Sequence, residues 1–245
     1  MKADPSRQRR LLDLQALDTR LAQLDHRRRT LPEHARLEEL QARVEELEAE
    51  AVRARTALSD VQREVAKAEA DVQLVRDRAE RDRQRLESGV GTAKDLQALQ
   101  HELESLARRQ ATLEDEELEV MQRAEDLQDE VDRIEAQLAE VRSEVAEVTA
   151  ARDGKVAELD AERAEVASGR DAIVAEVGPD LVALYDKIRA TSGTGAAPLV
   201  QRRCGGCQLE LNNVELGRIR AAAENEVLRC EEYRRILVRT PESGV

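Results

Sequence analysis

Two cysteines separated by two residues, Cys204 and Cys207, are followed after a gap of 22 residues by a third, Cys230. Thiols at this spacing are metal-ligand chemistry: paired C-x-x-C turns roughly 15–20 residues apart close a structural zinc site with four sulfurs. The second turn is incomplete, because Tyr233 stands where the fourth thiolate would fall. Three arrangements are open to these residues. Zinc sits on three thiolates completed by water or by an oxygen of Glu231, Glu232 or Tyr233; zinc is held only weakly; or the segment is metal-free and its strands hold it. A phenol ionises too far above neutrality to be a common zinc ligand, which makes Tyr233 a doubtful one.

Other thiol and metal chemistries fit less well. An open fourth position resembles catalytic zinc, but hydrolysis needs a placed general base, and no histidine stands near the cysteines. A thioredoxin-like redox pair opens a helix after a strand, whereas Gly205-Gly206 and strand-like residues surround this one. His26, His34 and His101 are isolated among charged residues. The expectation is a protein that is not an enzyme and has no small-molecule substrate.

Arginines gather around the two turns. Arg202, Arg203, Arg229, Arg234, Arg235 and Arg239 are candidates to meet phosphates or an acidic partner. Equally, they read as solvated strand-edge residues or as counterions to acidic helices. Residues 193–245 hold eight arginines against seven glutamates, a charge of +1, while the whole chain carries −13. The remaining residues therefore bear −14, which excludes coating of nucleic acid by the whole surface.

The elements that must position this site are long helices. Of 245 residues, 37% are charged and 1% aromatic, too few large side chains for a globular core throughout. From Leu37 to Ala79, apolar residues step by three and four through 13 consecutive positions, among them Leu40, Val44, Leu47, Leu58, Val61 and Val72. That is a heptad seam, the pattern of a left-handed coiled coil. It weakens at Asp82, returns at Leu86 and stops at Ser88-Gly89-Val90-Gly91, a turn. Thr92 caps the next helix, with Asp95 in its first turn. A second seam runs from Leu96 to Val148, apolar at 14 of 16 positions, Gln110 and Glu117 being the exceptions. Two matched seams joined by a short turn fold back antiparallel, placing Leu86 near Leu96, Val75 near Leu106 and Leu37 near Val145. Pro32 interrupts the first leg, and the opposite stretch, 150–175, contains Gly154 and Gly169 and a poorer seam.

Gly178-Pro179 ends the second leg, and Asp180 is placed to cap a short helix over 181–189. Residues 191–195 read as a linker or mobile loop. Strands are expected at 197–201, 208–211, 226–229 and 235–238, with a helix capped by Asn212 or Asn213 running to Ala223. No apolar run follows the N-terminal residues, so no secretory signal is expected, and nothing approaches a membrane-spanning length. An odd number of thiols, two in a tight pair, fits a reducing compartment, and the cytoplasm is expected.

A long coiled-coil hairpin, the Leu181-Val182-Ala183-Leu184-Tyr185-Asp186 helix, Cys204-Gly205-Gly206-Cys207 and the stretch from Val227-Leu228-Arg229-Cys230 to Ile236-Leu237-Val238-Arg239 together resemble the bacterial four-cysteine zinc-ribbon proteins with an N-terminal coiled coil. The resemblance spans almost the whole chain. It implies a mainly α fold: a long antiparallel coiled-coil helical hairpin over 1–178 with its turn near 88–93, a short helix and linker over 179–192, and a small α+β zinc-ribbon domain over 193–245. It further implies that Cys204, Cys207 and Cys230 hold one zinc per chain, with Tyr233 at the family's fourth cysteine. Members are described as nucleic-acid-binding, some as adaptors for transcription factors or transcripts. The implied function is therefore a regulatory adaptor that binds DNA, RNA or a transcription-related protein. The alternative is a purely protein-binding coiled-coil scaffold whose ribbon is structural.

Overall fold

In a computed structural model, which describes residues 1–244, the first helix begins at a proline. The Asp4 carboxylate accepts from the Ser6 amide at 2.7 Å, and Pro5 opens helix α1, Pro5–Arg29. The helix ends at Thr30, and Pro32 starts α2, Pro32–Glu87, so the expected interruption is a true break. After the glycine turn, Thr92 and Asp95 cap each other's amides, at 3.0 and 3.3 Å, and launch α3, Ala93–Val177. That helix runs unbroken through Gly154 and Gly169, and over 150–175, where the poorer seam was expected, only Leu159 is buried. Neither glycine has a left-handed φ, and each costs a helix only about 1 kcal/mol.

By internal packing the chain divides into two units, Ala35–Ala150 and Met1–His34 with Ala151–Val245. In the first, the two seams form an antiparallel pair. Leu47, Ala51, Ala54 and Leu58 bury against Val131, Ile134 and Leu138. Ion pairs step along the two helices in opposite directions, from Arg36–Glu144 through Arg55–Glu135 to Arg76–Glu114. All are well exposed, so each is worth at most about 1 kcal/mol and fixes register more than stability. Gln110, one of the seam's polar exceptions, is half-buried and donates to Glu114, the partner of Arg76. Asp82 is also buried in the seam, flanked by Arg78 and Arg85, so the repeat passes through it.

In the second unit, α1 and the end of α3 pack with helix α4, Pro179–Ser192, and a four-stranded sheet. Gly178, at φ 86°, is the N-cap of α4, and Asp180 lies in the first turn instead of capping it. Nor is 191–195 a mobile linker. The helix extends to Ser192, whose hydroxyl donates to the Thr194 carbonyl, and the Gly195 amide donates to Gln15 Oε1 at 2.7 Å. Gly195 lies so close to Tyr185 that an added Cβ would meet its ring at 2.4 Å.

The sheet comprises β1 Ala196–Val200, β2 Arg203–Cys204, β3 Leu228–Arg229 and β4 Ile236–Arg239, in the order β2-β1-β4-β3. β1 and β4 run parallel; the outer pairs are antiparallel. Between β2 and β3 lies helix α5, Asn213–Ala221, capped by Asn212. The strand expected at 208–211 reduces to one bridge, Glu210 to Arg203, because the preceding cysteine turn leaves room for no longer ladder. One face of the sheet (Ala196, Ile236, Val238) buries against α1 and α4, and the other (Ala197, Leu199, Leu237) against α5 and the cysteines. The N-terminal residues join the same unit: Lys2 bridges Glu226, and the Ala3 amide donates to the Asn225 carbonyl at 2.8 Å. Among the described residues, no helix is long and apolar enough to cross a membrane.

Candidate metal centre

Gln201 and Arg202, both at positive φ, turn β1 back into β2 and deliver Cys204 to the end of the hairpin. Gly205 and Gly206 then pass against β1, where a Cβ on either would stand 2.9 Å from Pro198 or Ala197. Only glycines permit that approach. The chain closes the turn with the Gln208 amide donating to the Cys204 carbonyl at 2.7 Å, and the Cys204 amide to Leu209 at 3.1 Å. The second turn repeats this backbone. Arg234 donates to Cys230 at 2.9 Å and Cys230 to Arg235 at 3.0 Å, and Arg234, like Gln208, has positive φ. The turn that lacks a second cysteine thus keeps the shape of the one that has both.

The three sulfurs lie within 4.8 Å of one another and could hold a metal ion. Cys207 Sγ and Cys230 Sγ are 3.9 Å apart; thiolates sharing one tetrahedral zinc at ~2.3 Å stand about 3.8 Å apart. Donor type and spacing therefore fit zinc. Cys204 and Cys230 are buried and Cys207 half-buried, all as free thiols. Burial pushes the Cys204 thiol up to about 11, against the amides of Cys207 and Gly206. Burial also resists ionisation of Cys207, but the Leu209 amide, the neighbouring thiols and the Arg235 charge outweigh it and lower that thiol.

Tyr233 is 51% exposed, with the Arg235 guanidinium 4.7 Å above its ring. The six arginines divide into two sets. Arg229, Arg234 and Arg235 line, with Lys187, Glu232 and Tyr233, a cavity of about 540 Å³ beside the second turn. Of these, Arg235 also donates to the Ser192 carbonyl at 3.5 Å; the other three arginines lie outside the cavity, each with a partner in the chain. Arg202 donates to Asn213 Oδ1 at 3.0 Å, and Arg203 stands 3.9 Å from Glu210. Arg239 donates to the carbonyls of Ile219, Ala222 and Ala223 at 2.9–3.0 Å, capping the C-terminal end of α5.

The CT398-like coiled coil hairpin domain matches residues 14–193. This chain belongs to that family. An uncharacterised Mycobacterium tuberculosis protein is 41% identical over 239 residues, 98% of each chain, and one from Mycobacterium leprae is 31% identical over 219 residues, covering 88% of this chain and 93% of its own. A solved Mycobacterium smegmatis structure superposes with TM-score 0.85 at 43% identity, over 98% of this chain and all of that one. CT398 itself, from Chlamydia trachomatis, shares the fold at TM-score 0.66 and 16% identity, over 96% and 98% of the two chains. The CT398-like match ends before the first cysteine, so the metal centre rests on this chain's own geometry.

Two groups in this family member escaped the sequence reading. Asp18, 1% exposed, accepts from Arg170 Nε and the Tyr185 hydroxyl, each at 2.8 Å, and lies 3.5 Å from Arg189. Burial, with Asp18 beside it, pushes the Tyr185 phenol far above its usual range. Glu215, in the first turn of α5, is buried at 5% exposure, and its Oε1 has no hydrogen-bond partner. Burial and the Glu231 charge push its pKa above the usual carboxylate value, partly offset by the Glu231 amide and by Arg218. The one sequence signal for Glu215 was its place three residues after a capping asparagine, which reads as a helix cap.

Proposed function

We propose that the protein is a non-enzymatic zinc-ribbon adaptor of the cytoplasm, with a coiled-coil hairpin and a sulfur-anchored head that recognises nucleic acid or a transcription-related partner. The observation that carries this reading is the 540 Å³ cavity beside the second cysteine turn, which four cationic side chains line against one acidic one, Glu232, together with the exposed Tyr233 ring. Cations there neutralise phosphates and Tyr233 offers a stacking face, the pairing by which single-stranded nucleic acids are held without sequence readout. Bound zinc would supply a cross-link between the two turns and no reaction chemistry. The chain's own part is to set Arg229, Arg234 and Arg235 at fixed spacing on the turn around Cys230. Free thiols favour a reducing compartment, and the absence of histidine from the sulfur cluster favours binding over catalysis.

A specific observation also favours a protein-only adaptor: Arg202, Arg203 and Arg239 are engaged internally, in a chain whose net charge is −13. Electrophoretic mobility of single-stranded RNA and DNA with the full chain, at two salt concentrations, separates the two. Our reading expects retarded nucleic acid, weaker at high salt. An Arg229→Ala/Arg234→Ala variant should show a smaller salt slope, by about one for each phosphate no longer neutralised. No retardation at the lower salt would leave the protein-only adaptor.

A further inference from the structure

We infer that the Glu215 carboxylate is the fourth ligand of the metal held by Cys204, Cys207 and Cys230, in place of the fourth thiolate that the second turn lacks. The inference rests on the metal-holding reading of the three thiols. A buried carboxylate oxygen without a partner is costly, and native structures keep few of them without a use. Glu215 Oε1 is such an oxygen. The ordinary explanation for a glutamate at this point of a helix is a capping box. The Asn212 side chain does accept from the Glu215 amide at 2.8 Å, but Oε1 makes no return bond.

Glu215 shares a cavity of about 200 Å³ with Cys207 and Cys230. Glu210, Glu231 and Glu232 line it too, so the chamber beside the sulfurs is strongly anionic and suits a divalent cation. Helix α5 holds Glu215 in place, since its neighbours Leu216 and Ile219 pack in the same core as Cys204 and Cys230. Three thiolates and one carboxylate carry the formal charge of four thiolates, and zinc accepts carboxylate oxygen at ~2.0–2.2 Å.

The competing oxygens are placed worse. Tyr233 lies half-exposed under Arg235 and lines the other cavity; Glu231 pairs with Arg218 at 3.2 Å; Glu232 is exposed. The Glu215 oxygens stand outside the 4.8 Å cluster of the sulfurs, so coordination draws the carboxylate inward.

The test uses the full chain loaded with zinc, or with cobalt as a spectroscopic stand-in, together with Glu215→Gln and Tyr233→Phe. X-ray absorption of the zinc-loaded natural chain should give three sulfurs at ~2.3 Å and one oxygen at ~2.0 Å. Glu215→Gln should keep the thiolate-to-cobalt charge-transfer bands, shift the ligand-field bands and weaken zinc against a chelator at least about tenfold, the scale on which even outer partners of a metal site matter. Tyr233→Phe should match the natural chain. An unchanged affinity and spectrum in a Glu215→Gln chain of natural helicity overturns the inference while leaving the three-thiol site standing. Four sulfurs in the natural chain overturn it whether or not the variant folds. A natural chain that takes up neither metal sinks the three-thiol site and this inference with it.

Discussion

Asp18 ties three helices at one buried point, joining α1 to Arg170 of α3 and to Tyr185 and Arg189 of α4. Replacing it with alanine removes the shorter of two acceptors from a guanidinium and a phenol, leaving Arg170 only Asp186 at 3.3 Å and Tyr185 only Gln15 at 3.2 Å. Removing one member of a buried ion pair costs on the order of 3 kcal/mol. Asp18→Ala should therefore lower the urea midpoint of the Met1–His34/Ala151–Val245 unit, read by loss of hydrogen-exchange protection there, with protection across 35–150 retained. Equal loss in both units would contradict that assignment. Gly195→Ala tests the close approach to Tyr185. A Cβ 2.4 Å from the ring must push α4 or β1 aside, a cost of about 1–3 kcal/mol. Unchanged thermal stability would show that the contact yields freely. Neither residue announced itself in the sequence. Asp18 lies four residues after Leu14, on the buried face of α1, but nothing near it in the sequence offers the carboxylate a partner, and its partners lie more than 150 positions away.

The helices were the most legible elements, because a heptad seam is a local signal and each of its positions reports on its own burial. All the seam residues named from Leu37 to Ala79 are buried or half-buried. The cap at Thr92 and Asp95 was likewise readable from two residues three apart. Thr92→Ala should cost about 1 kcal/mol and speed amide exchange in the first turn of α3, with no change beyond it. Exchange unaltered at that turn would show that the box contributes nothing. The small strands were less legible, since two-residue strands such as β2 and β3 carry no alternation to read. Arg239 shows why their arginines could not be sorted by sequence. Its three carbonyl partners at the end of α5 are 16 to 20 residues away, and only the folded sheet brings them within reach. Arg239→Gln should fray α5 and cost about 1–2 kcal/mol, measured by denaturation of the full chain. A variant as stable as the natural chain would make those bonds incidental.

Across the whole molecule, the contacts that position the centre come from both ends of the chain. The sheet that carries the cysteines buries one face on α1 and α4 and the other on α5, and the N-terminal residues bridge to Glu226. The cysteines themselves were plain in the sequence; the repeated backbone of the second turn and the buried Glu215 were not, because both depend on strand pairing. Since α5 contributes only 9 residues of helix beside 56 and 85 in α2 and α3, metal removal should leave the far-ultraviolet helical signal nearly intact. Protection should vanish around Cys204, Cys207 and Cys230 instead. The most direct measurement is native mass spectrometry of the full chain after zinc loading and exhaustive dialysis. The account predicts one zinc per chain, lost in Cys204→Ser; a natural chain that emerges at its metal-free mass would contradict it.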